Sequence, residues 1–465
     1  MITLVIRRLV LFAALVALAA FVVRLNAMPT ERSDLWFHLR LGQEFLDGWA
    51  RASPGHLGVY DSASWVPTQW LSQIAMSYAE QHGGLAGVLL ISAIVQASIL
   101  AVVYLTCRQE AAPLASAIAC VACLFAMAAA MSPRPQIVSY LFFALTVAGW
   151  RATARSGRAP LWLIPITWIW VPLHGMWPIA VAVGLVMAIG LTLDGVVSGR
   201  QRLFAFSVPV LSLALANATP LGTRVFGGVL EVGERRAYFA EWSAPDFTDL
   251  RAIGVLMMAA IVLTVLLRSD VLAWYSVFFV GTAIGLAVFS LRTVPLAAIM
   301  LAPLVAAAAQ RGLPEALRPG RAECTVIAGS IVFVGAVVVT ATHGAPGPAI
   351  SPVIADRLGA MPSHTRVLNE WDTGGYFLWK APQVDLVMHG YADVFTVDEL
   401  ERNVAISRVD AGWDELVTDL DAEYALVDPD SPLAYGLVEH ASWTVVEADE
   451  AYILLSPPTS DPSAN

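Results

Sequence analysis

Residues 85–106 read LAGVLLISAIVQASILAVVYLT, a run without any charged side chain. A helix of about 20 apolar residues crosses the hydrocarbon core of a bilayer. The whole chain of 465 residues is 57% hydrophobic and 14% charged, whereas soluble domains carry about 25% charged residues. The run and the composition together predict an integral membrane protein that crosses the bilayer several times.

Eleven apolar segments, with an uncertainty of about one, are predicted to span the membrane. They are Leu9–Val23, Leu85–Thr106, Pro113–Met131, Ile137–Trp150, Leu161–Leu173, Trp177–Leu193, Phe204–Ala216, Ile253–Leu267, Val271–Leu291, Pro295–Ala309 and Thr325–Thr342. Leu161–Leu173, one of the two shortest, is alternatively re-entrant. The first resembles a signal peptide because Arg7 and Arg8 precede it, but we interpret it as an uncleaved helix.

The arginines predict one orientation along the whole chain, since cytoplasmic loops are enriched in basic residues. With the N-terminus inside, the inner loops hold Arg7, Arg8, Arg108, Arg151, Arg155, Arg158, Arg200, Arg202, Arg268, Arg311, Arg318 and Arg321. The short outer turns hold only Arg134 and Arg292. An odd number of spans then places the C-terminal region outside the cytoplasm.

The C-terminal region is predicted to be a small soluble α/β domain. From Gly344 onward the chain has 21 acidic and 5 basic residues, a net charge of −16, which leaves +6 of the total of −10 for the rest. Such an acidic domain does not suit nucleic-acid binding. Predicted helices and strands alternate over 343–456, after a membrane domain at 1–342 and before a disordered tail at 457–465. The predicted strands include Arg366–Asn369 and Tyr424–Val427, and Trp443–Glu447 with Ala451–Leu455 is predicted to form a terminal hairpin.

Several side chains of this α/β domain lie at or near predicted strand ends, where ligands of such sheets tend to bind. The candidate binding residues are Asp372, Tyr376, His389 and Asp393. The alternative is simple turn chemistry, in which Asp372–Gly375 forms a turn and Gly374 and Gly375 supply positive φ angles.

Two long outer loops are predicted, at 24–84 and 217–251, and long loops in compact proteins are usually functional or disordered. In the first, Leu35, Leu39, Gly42, Leu46 and Trp49 recur at helical spacing. This face predicts a helix that lies at the membrane interface.

Asp34 and His38 are four residues apart and share another face of that helix. We take both as candidate catalytic residues, and an N-cap aspartate with a surface histidine is the alternative. The four cysteines, Cys107, Cys120, Cys123 and Cys324, lie in or beside apolar segments and are interpreted as small packing residues rather than a redox or metal site.

Polar side chains collect in the predicted outer loops and turns, and we expect them to line one pocket that binds substrate. These candidates are Glu31, Arg40, Asp61, Gln69, Trp70, Arg134, Gln136, His174, Asn217, Arg235, Arg236, Glu241 and Arg292. Guanidinium groups bind phosphate bidentately, and a carboxylate near a hydroxyl can act as a general base. This combination favours a phosphate-linked lipid substrate, although helix-end arginines such as Arg134 and Arg292 can also simply reach toward the interface.

The order of these motifs resembles that of the bacterial GT-C membrane glycosyltransferases, relatives of the protein mannosyltransferases and aminoarabinose transferases. The resemblance rests on the acidic motif at 34–38 after the first helix, on Asp61-Ser-Ala-Ser, on Trp70-Leu71, on Arg134-Pro-Gln136 and on His174-Gly175. Two C-terminal segments, Asp372–Tyr376 and His389–Asp393, are similar to segments of uncharacterised members.

The resemblance implies that a sugar passes from a polyprenyl-phosphate donor to a lipid, glycan or protein acceptor outside the bacterial cytoplasmic membrane. It gives Asp34 the role of the base or of a metal ligand, and it places Arg134, Arg235, Arg236 or Arg292 near the donor phosphate. The paired acidic residues of the family motif are missing here, and Glu31 is the nearest substitute. A divalent cation held by Glu31 and Asp34 is therefore an alternative to metal-free catalysis.

Two other functions stay open from the sequence. A flippase or transporter of lipid-linked substrates should show internal repeats and broken helices at mid-membrane depth, and no clear repeat is visible. A non-catalytic scaffold for envelope assembly would explain the missing acidic partner.

Overall fold

The computed structural model describes residues 13, 16–26, 33–60, 65–268, 272–311, 321–343 and 352–458. Its contacts divide the chain into two compact units. We call the first the helical unit, formed by Met1–Ala27, Ala79–Val229 and Phe239–His343. We call the second the sheet unit, formed by Met28–Tyr78, Leu230–Tyr238 and Gly344–Asn465.

The described helices and strands follow one another in chain order. They are α1 (Val16–Leu25), α2 (Leu35–Leu46), α3 (Trp70–Arg108), α4 (Pro113–Met127), α5 (Gln136–Ser156), α6 (Leu163–Trp170), α7 (Trp177–Leu193), α8 (Gly199–Leu215), α9 (Arg224–Glu234), α10 (Leu250–Leu267), α11 (Trp274–Phe289), α12 (Val294–Gln310), α13 (Arg321–Thr342), α14 (Pro352–Gly359), β1 (Arg366–Asn369), α15 (Trp371–Lys380), β2 (Asp385–Leu386), α16 (Val397–Arg408), α17 (Trp413–Asp419), β3 (Tyr424–Val427), α18 (Pro432–Tyr435), β4 (Thr444–Ala448) and β5 (Ile453–Ser456).

Each predicted span coincides with a helix wherever the chain is described. Six helices, α3, α4, α5, α10, α12 and α13, lie in stretches that are long and apolar enough to cross a bilayer, and α1, α7 and α11 are shorter apolar helices. The chain is therefore an integral membrane protein with a mainly helical fold, whereas the count of eleven spans stays a prediction. Gly84, at φ 59°, interrupts α3 ahead of the predicted span.

The core of the helical unit forms around α12, where 72% of the most apolar stretch is buried. It packs against α4, α10, α11 and α5, and small residues such as Ala298 and Ala302 let these helices approach closely. By contrast, only 17% of the most apolar stretch of α13 is buried. Because α13 is apolar on all sides, its open surface suits contact with lipid.

The sheet unit contains one five-stranded sheet in the order β2-β1-β3-β5-β4. β1 is parallel to β2 and β3, while β5 is antiparallel to β3 and β4. The predicted strands at 366–369 and 424–427 and the predicted terminal hairpin are present. The alternation of helix and strand thus produces the small α/β fold that the sequence indicates.

The turn predicted at Asp372–Gly375 is wrong, because these residues belong to helix α15. Gly374 and Gly375 are not among the residues with positive φ. Instead they allow close packing: a Cβ on Gly374 would overlap the carbonyl oxygen of Met388, and one on Gly375 would lie 3.1 Å from the Phe37 side chain. The glycines are needed for space rather than for backbone conformation.

Helix α2 of the first long loop is buried within the sheet unit and packs against α15. Trp36 contacts the rings of Tyr376 and Trp379, with centroid distances of 5.0 Å and 4.8 Å. Leu35 and Leu39, on the face predicted to contact lipid, are almost completely buried. Protein rather than an open interface covers this face, so the loop and the C-terminal residues fold as one body.

Candidate functional site

Two arginines of the helical unit meet at a single carboxylate. Arg134 Nη2 lies 2.6 Å from Glu241 Oε1, and Arg292 Nη1 lies 3.7 Å from Glu241 Oε2. Their side chains are 15% and 20% exposed, and that of Glu241 is 40% exposed. We call this group, with His174 and Trp242, the arginine cluster.

The local sequence explains why these side chains lie at helix N-termini. Arg134 precedes α5, His174 precedes α7 and Arg292 precedes α12. Proline occupies one of the first two positions of α7 and α12, where its missing N–H costs nothing. Helix N-termini carry partial positive charge, which adds to the charge of the two guanidinium groups.

Glu241 comes from the second long loop, in the short 3-10 turn Ala240–Trp242. A backbone hydrogen bond from Leu291 N to Ser243 O, of 3.0 Å, ties this turn to the turn that carries Arg292. Burial alone would raise the pKa of Glu241, but the charges of Arg134 and Arg292 outweigh it and hold that pKa below its usual value. Glu241 is therefore ionised at neutral pH, and the three groups together carry one net positive charge.

Arg292 has the more open set of donors. Its Nη2 lies 3.3 Å from His174 Nε2, its guanidinium carbon lies 5.0 Å from the centre of the Trp242 ring, and its ion pair with Glu241 is long. Its buried Nε has no hydrogen-bond partner among the described residues. A buried N–H that is left unmatched is costly, so an anion that accepts from Arg292 would remove this cost.

His174, which contacts Arg292, is held in place by Ser139 and Trp170, neither of which was predicted from the sequence. His174 Nδ1 lies 2.8 Å from Ser139 Oγ, which also accepts a 2.7 Å hydrogen bond from Trp170 Nε1. All three side chains are buried. Ser139 lies in the first turn of α5, where a single serine among mainly apolar residues does not by itself indicate a partner.

Gln136, another predicted binding residue, donates a 2.5 Å hydrogen bond to the hydroxyl of Tyr140 one turn further along α5. Both side chains are buried. Tyr140 lies close enough to Arg134, Arg292 and Glu241 to interact electrostatically with their charges. The structure thus brings together Arg134, Gln136, His174, Glu241 and Arg292 from the predicted set.

Three other predicted binding residues lie in the second long loop. Asn217 is exposed and donates to the carbonyl of Ala214 at the end of α8, as a local cap. Arg235 pairs loosely with Glu231 of the same turn, at 3.7 Å, and the neighbouring Arg236 is exposed; both belong to the sheet unit.

Asp34 stands at the start of α2 in the sheet unit and is half-buried. Ser33 Oγ, rather than the Asp34 carboxylate, accepts from the helix backbone, at Leu35 N. A common site for Asp34 and the arginine cluster stays a prediction.

His38 is buried, with Nδ1 3.2 Å from Gln73 Nε2 and its ring against Phe37 and Tyr391. These contacts fit a residue that supports α2 rather than one that touches a substrate.

Nearby in the loop, Arg40 pairs with Glu44 at 2.6 Å, and Arg51 lies over the ring of Trp70. Gln69 is buried just before α3.

The candidates of the α/β fold are mostly part of its core. His389 is buried, and burial lowers its pKa to about 3, so the ring is neutral and its Nδ1 accepts from the backbone N–H of Tyr391. Tyr376 is buried against Trp36. Asp393 accepts a long hydrogen bond from Thr68, at 3.5 Å, and Asp372 is exposed in the first turn of α15.

Two further candidates, Glu31 and Asp61, lie outside the described residues. Within the described part of the chain, no group of three or more His, Cys, Asp or Glu side chains is placed to hold a metal ion. Cys107, Cys120 and Cys123 are buried free thiols, and Cys324 is exposed.

The sequence matches no protein-family model and no curated protein. The structure, however, is similar to solved membrane glycosyltransferases. The aminoarabinose transferase ArnT from Cupriavidus metallidurans bound to undecaprenyl phosphate is 15% identical, with a TM-score of 0.53 over 97% of this chain and 98% of that chain. The same enzyme in the apo state gives 14% identity and a TM-score of 0.55 over 96% and 97% of the two chains.

The Archaeoglobus fulgidus oligosaccharyltransferase tethered with an acceptor peptide is 14% identical, with a TM-score of 0.53 over 90% of this chain and 69% of that chain. Identities this low establish similarity of fold and leave chemistry to be argued from the residues. This chain therefore has the fold of the GT-C membrane glycosyltransferases.

Proposed function

We propose that the protein transfers a sugar from a polyprenyl-phosphate donor to a lipid, glycan or protein acceptor. The observation that carries the proposal is the arginine cluster, in which Arg134 and Arg292 share the single carboxylate of Glu241. Such a concentration of buried or half-buried charge at helix ends of a membrane protein usually marks a functional site.

The chemistry of the cluster suits one phosphate group. A guanidinium presents a planar fork of donors that matches phosphate oxygens. Arg292 is the first choice as phosphate ligand because its contact with Glu241, at 3.7 Å, is long and leaves more of its fork available. Arg134 is the second, since its 2.6 Å contact with Glu241 already engages part of its fork.

The similarity to ArnT bound to undecaprenyl phosphate supports the same class of ligand for this chain. We propose Arg134 and Arg292 ahead of Arg235 and Arg236 as phosphate ligands, because the first two share the Glu241 carboxylate.

In the proposed reaction Asp34 is the general base. The acceptor oxygen attacks the anomeric carbon of the donor sugar and its proton passes to the Asp34 carboxylate. The bond between the anomeric carbon and the phosphate oxygen breaks, so configuration is inverted and polyprenyl phosphate leaves with the electron pair. Arg292 and Arg134 stabilise the negative charge that grows on that phosphate. His38 is proposed as a positioning residue that holds α2 through Gln73.

We further propose that the reaction takes place outside the bacterial cytoplasmic membrane, as the arginine distribution predicts. Asp372 and Asp393, and the residues near them, are proposed to contact the acceptor. A divalent cation at Asp34 and Glu31 stays an alternative way to activate the acceptor.

The first experiment measures binding of undecaprenyl phosphate to the purified full-length chain in detergent. Arg292→Ala should weaken binding about tenfold or more, which is the loss of affinity expected when one charge-assisted hydrogen bond is removed. Arg236→Ala is the matched control and should leave binding unchanged. Equal binding by wild type and Arg292→Ala would refute the phosphate site.

The second experiment measures transfer in proteoliposomes, from a panel of undecaprenyl-phosphate sugars to extracted envelope lipids and glycans. Asp34→Asn removes the base while keeping the shape of the side chain, so transfer should fall by at least 10²-fold with undecaprenyl phosphate binding retained. Unchanged turnover in Asp34→Asn would remove Asp34 from the mechanism. Binding without transfer by wild type would point to a non-catalytic protein.

A further inference from the structure

We propose that Ser139 and Trp170 are positioning residues that fix which nitrogen of His174 carries the proton, and that His174 thereby aims Arg292. The inference rests on the proposed function only in giving Arg292 a phosphate to bind. It concerns residues that neither the motifs nor the similar structures assign.

The geometry is a chain of three hydrogen bonds that joins three helices. Trp170 Nε1, at the end of α6, donates to Ser139 Oγ of α5 over 2.7 Å. Ser139 Oγ lies 2.8 Å from His174 Nδ1, and His174 Nε2 lies 3.3 Å from Arg292 Nη2. Ser139 is fully buried, and Trp170 and His174 are 1% and 2% exposed, so water cannot easily exchange with these bonds.

The donors and acceptors decide the tautomer of His174. An arginine N–H can only donate, so Nε2 must be the acceptor in the contact with Arg292. A neutral imidazole then carries its proton on Nδ1, which donates to Ser139 Oγ. The serine oxygen has two lone pairs and accepts from both Trp170 and His174. The opposite tautomer would set two N–H groups against each other at the Arg292 contact.

The functional consequence is a preference for neutral His174. Protonation would put a second donor and a positive charge against Arg292, and it would push the guanidinium out of the position in which it can meet a phosphate. The charged groups around His174 are Arg292 from the turn before α12, with Glu241 and Arg134 beyond it. α5 contributes Ser139 and the phenol of Tyr140. Of these, Glu241 stays ionised because the charges of Arg134 and Arg292 hold its pKa below its usual value, so the neutral imidazole faces a guanidinium whose charge one carboxylate partly balances.

The tautomer can be read directly by ¹⁵N NMR of histidine-labelled full-length protein, because a protonated and an unprotonated ring nitrogen have well-separated shifts. The His174 signals are those absent from the spectrum of His174→Gln. We expect Nδ1 protonated and Nε2 unprotonated in wild type at pH 7.5, and a mixture of tautomers in Ser139→Ala. Ser116→Ala, which removes a buried serine of α4, is the matched control and should keep the wild-type pattern. A protonated Nε2 in wild type, or an unchanged tautomer in Ser139→Ala, would overturn the proposal.

Binding of undecaprenyl phosphate then tests the consequence. Ser139→Ala should bind about five- to tenfold more weakly than wild type at pH 7.5, the effect of losing about one hydrogen bond. His174→Gln should also weaken binding, and the double variant Ser139→Ala/His174→Gln should bind no more weakly than His174→Gln alone, because Ser139 acts through His174. Additive losses in the double variant would overturn the role of His174.

The two sets of results separate the two ideas. A wild-type protein with the expected tautomer that fails to bind undecaprenyl phosphate would sink the proposed function and leave the hydrogen-bonded chain intact. A protein that binds the lipid with the wrong tautomer would sink this inference alone.

Discussion

Glu241 lies where a donor phosphate would compete for the same two arginines, and replacing it with glutamine tests this relation. The substitution keeps the size of the side chain and raises the net charge of the arginine cluster from +1 to +2. A phosphate held by Arg292 at about 5 Å from the carboxylate would be repelled by roughly 1–3 kcal/mol, for effective dielectric constants of about 80 down to 20.

The lower end of that range applies, because the Glu241 side chain is 40% exposed and solvent screens its charge. About 1 kcal/mol corresponds to roughly fivefold. We therefore expect Glu241→Gln to bind undecaprenyl phosphate about fivefold more tightly than wild type.

The assay is a titration of purified protein with undecaprenyl phosphate at two salt concentrations. The gain should shrink at high salt, since screening reduces interactions between partly exposed charges. Thermal unfolding serves as the control, and Glu241→Gln should unfold at a slightly lower temperature because Arg134 loses its ionised partner.

Weaker binding by Glu241→Gln, at a melting temperature close to that of wild type, would refute this reasoning. It would mean that the carboxylate holds the two guanidinium groups in their productive places rather than competing with the phosphate.

Three further substitutions test packing and pH dependence. Burial holds the pKa of His389 at about 3, against an ordinary value of 6.5, so between these pH values the unfolded chain binds a proton that the folded chain excludes. The free energy of unfolding should therefore fall as the pH drops from about 6.5 toward 3. Denaturant titrations should show a flatter slope for His389→Gln. Gly374→Ala should destabilise the fold by about 2–3 kcal/mol in thermal or denaturant unfolding, because its Cβ would overlap Met388, whereas Gly359→Ala has open space and should be nearly neutral. Gln96→Leu should cost about 1–3 kcal/mol, because it removes the donor to the Met131 carbonyl; unfolding at the wild-type temperature would contradict that estimate.

The membrane helices could be predicted from the sequence because lipid imposes a simple rule on composition. A run of apolar residues such as 85–106 has few alternatives to a spanning helix. The strands at 366–369 and 424–427 could also be predicted, since Val367–Leu368 and Ala425–Val427 are short apolar stretches followed by polar residues. In both cases the signal lies within one local segment.

The parts that could not be predicted depend on contacts between distant segments. Asp372-Thr-Gly-Gly375 has the composition of a turn, but packing against Phe37 and Met388 makes it a helix. Five residues that the structure brings together were predicted only as members of a larger set of thirteen polar residues in outer loops and turns; they are Arg134, Gln136, His174, Glu241 and Arg292. Ser139 and Trp170 were missed, because a serine or tryptophan inside an apolar helix looks like ordinary packing until its partner is known.

The sheet unit has a consequence for how the chain is made. Trp36 and Phe37 are synthesised early, yet the residues that cover them, Tyr376, Trp379 and Tyr391, are among the last to leave the ribosome. While the intervening residues are synthesised, Trp36 and Phe37 lack the side chains that cover them in the folded protein. A chain that stops before residue 371 never contains those covering residues. A premature stop codon between residues 343 and 371 should therefore leave an unfinished first loop, which cellular proteases would recognise although the membrane helices are complete.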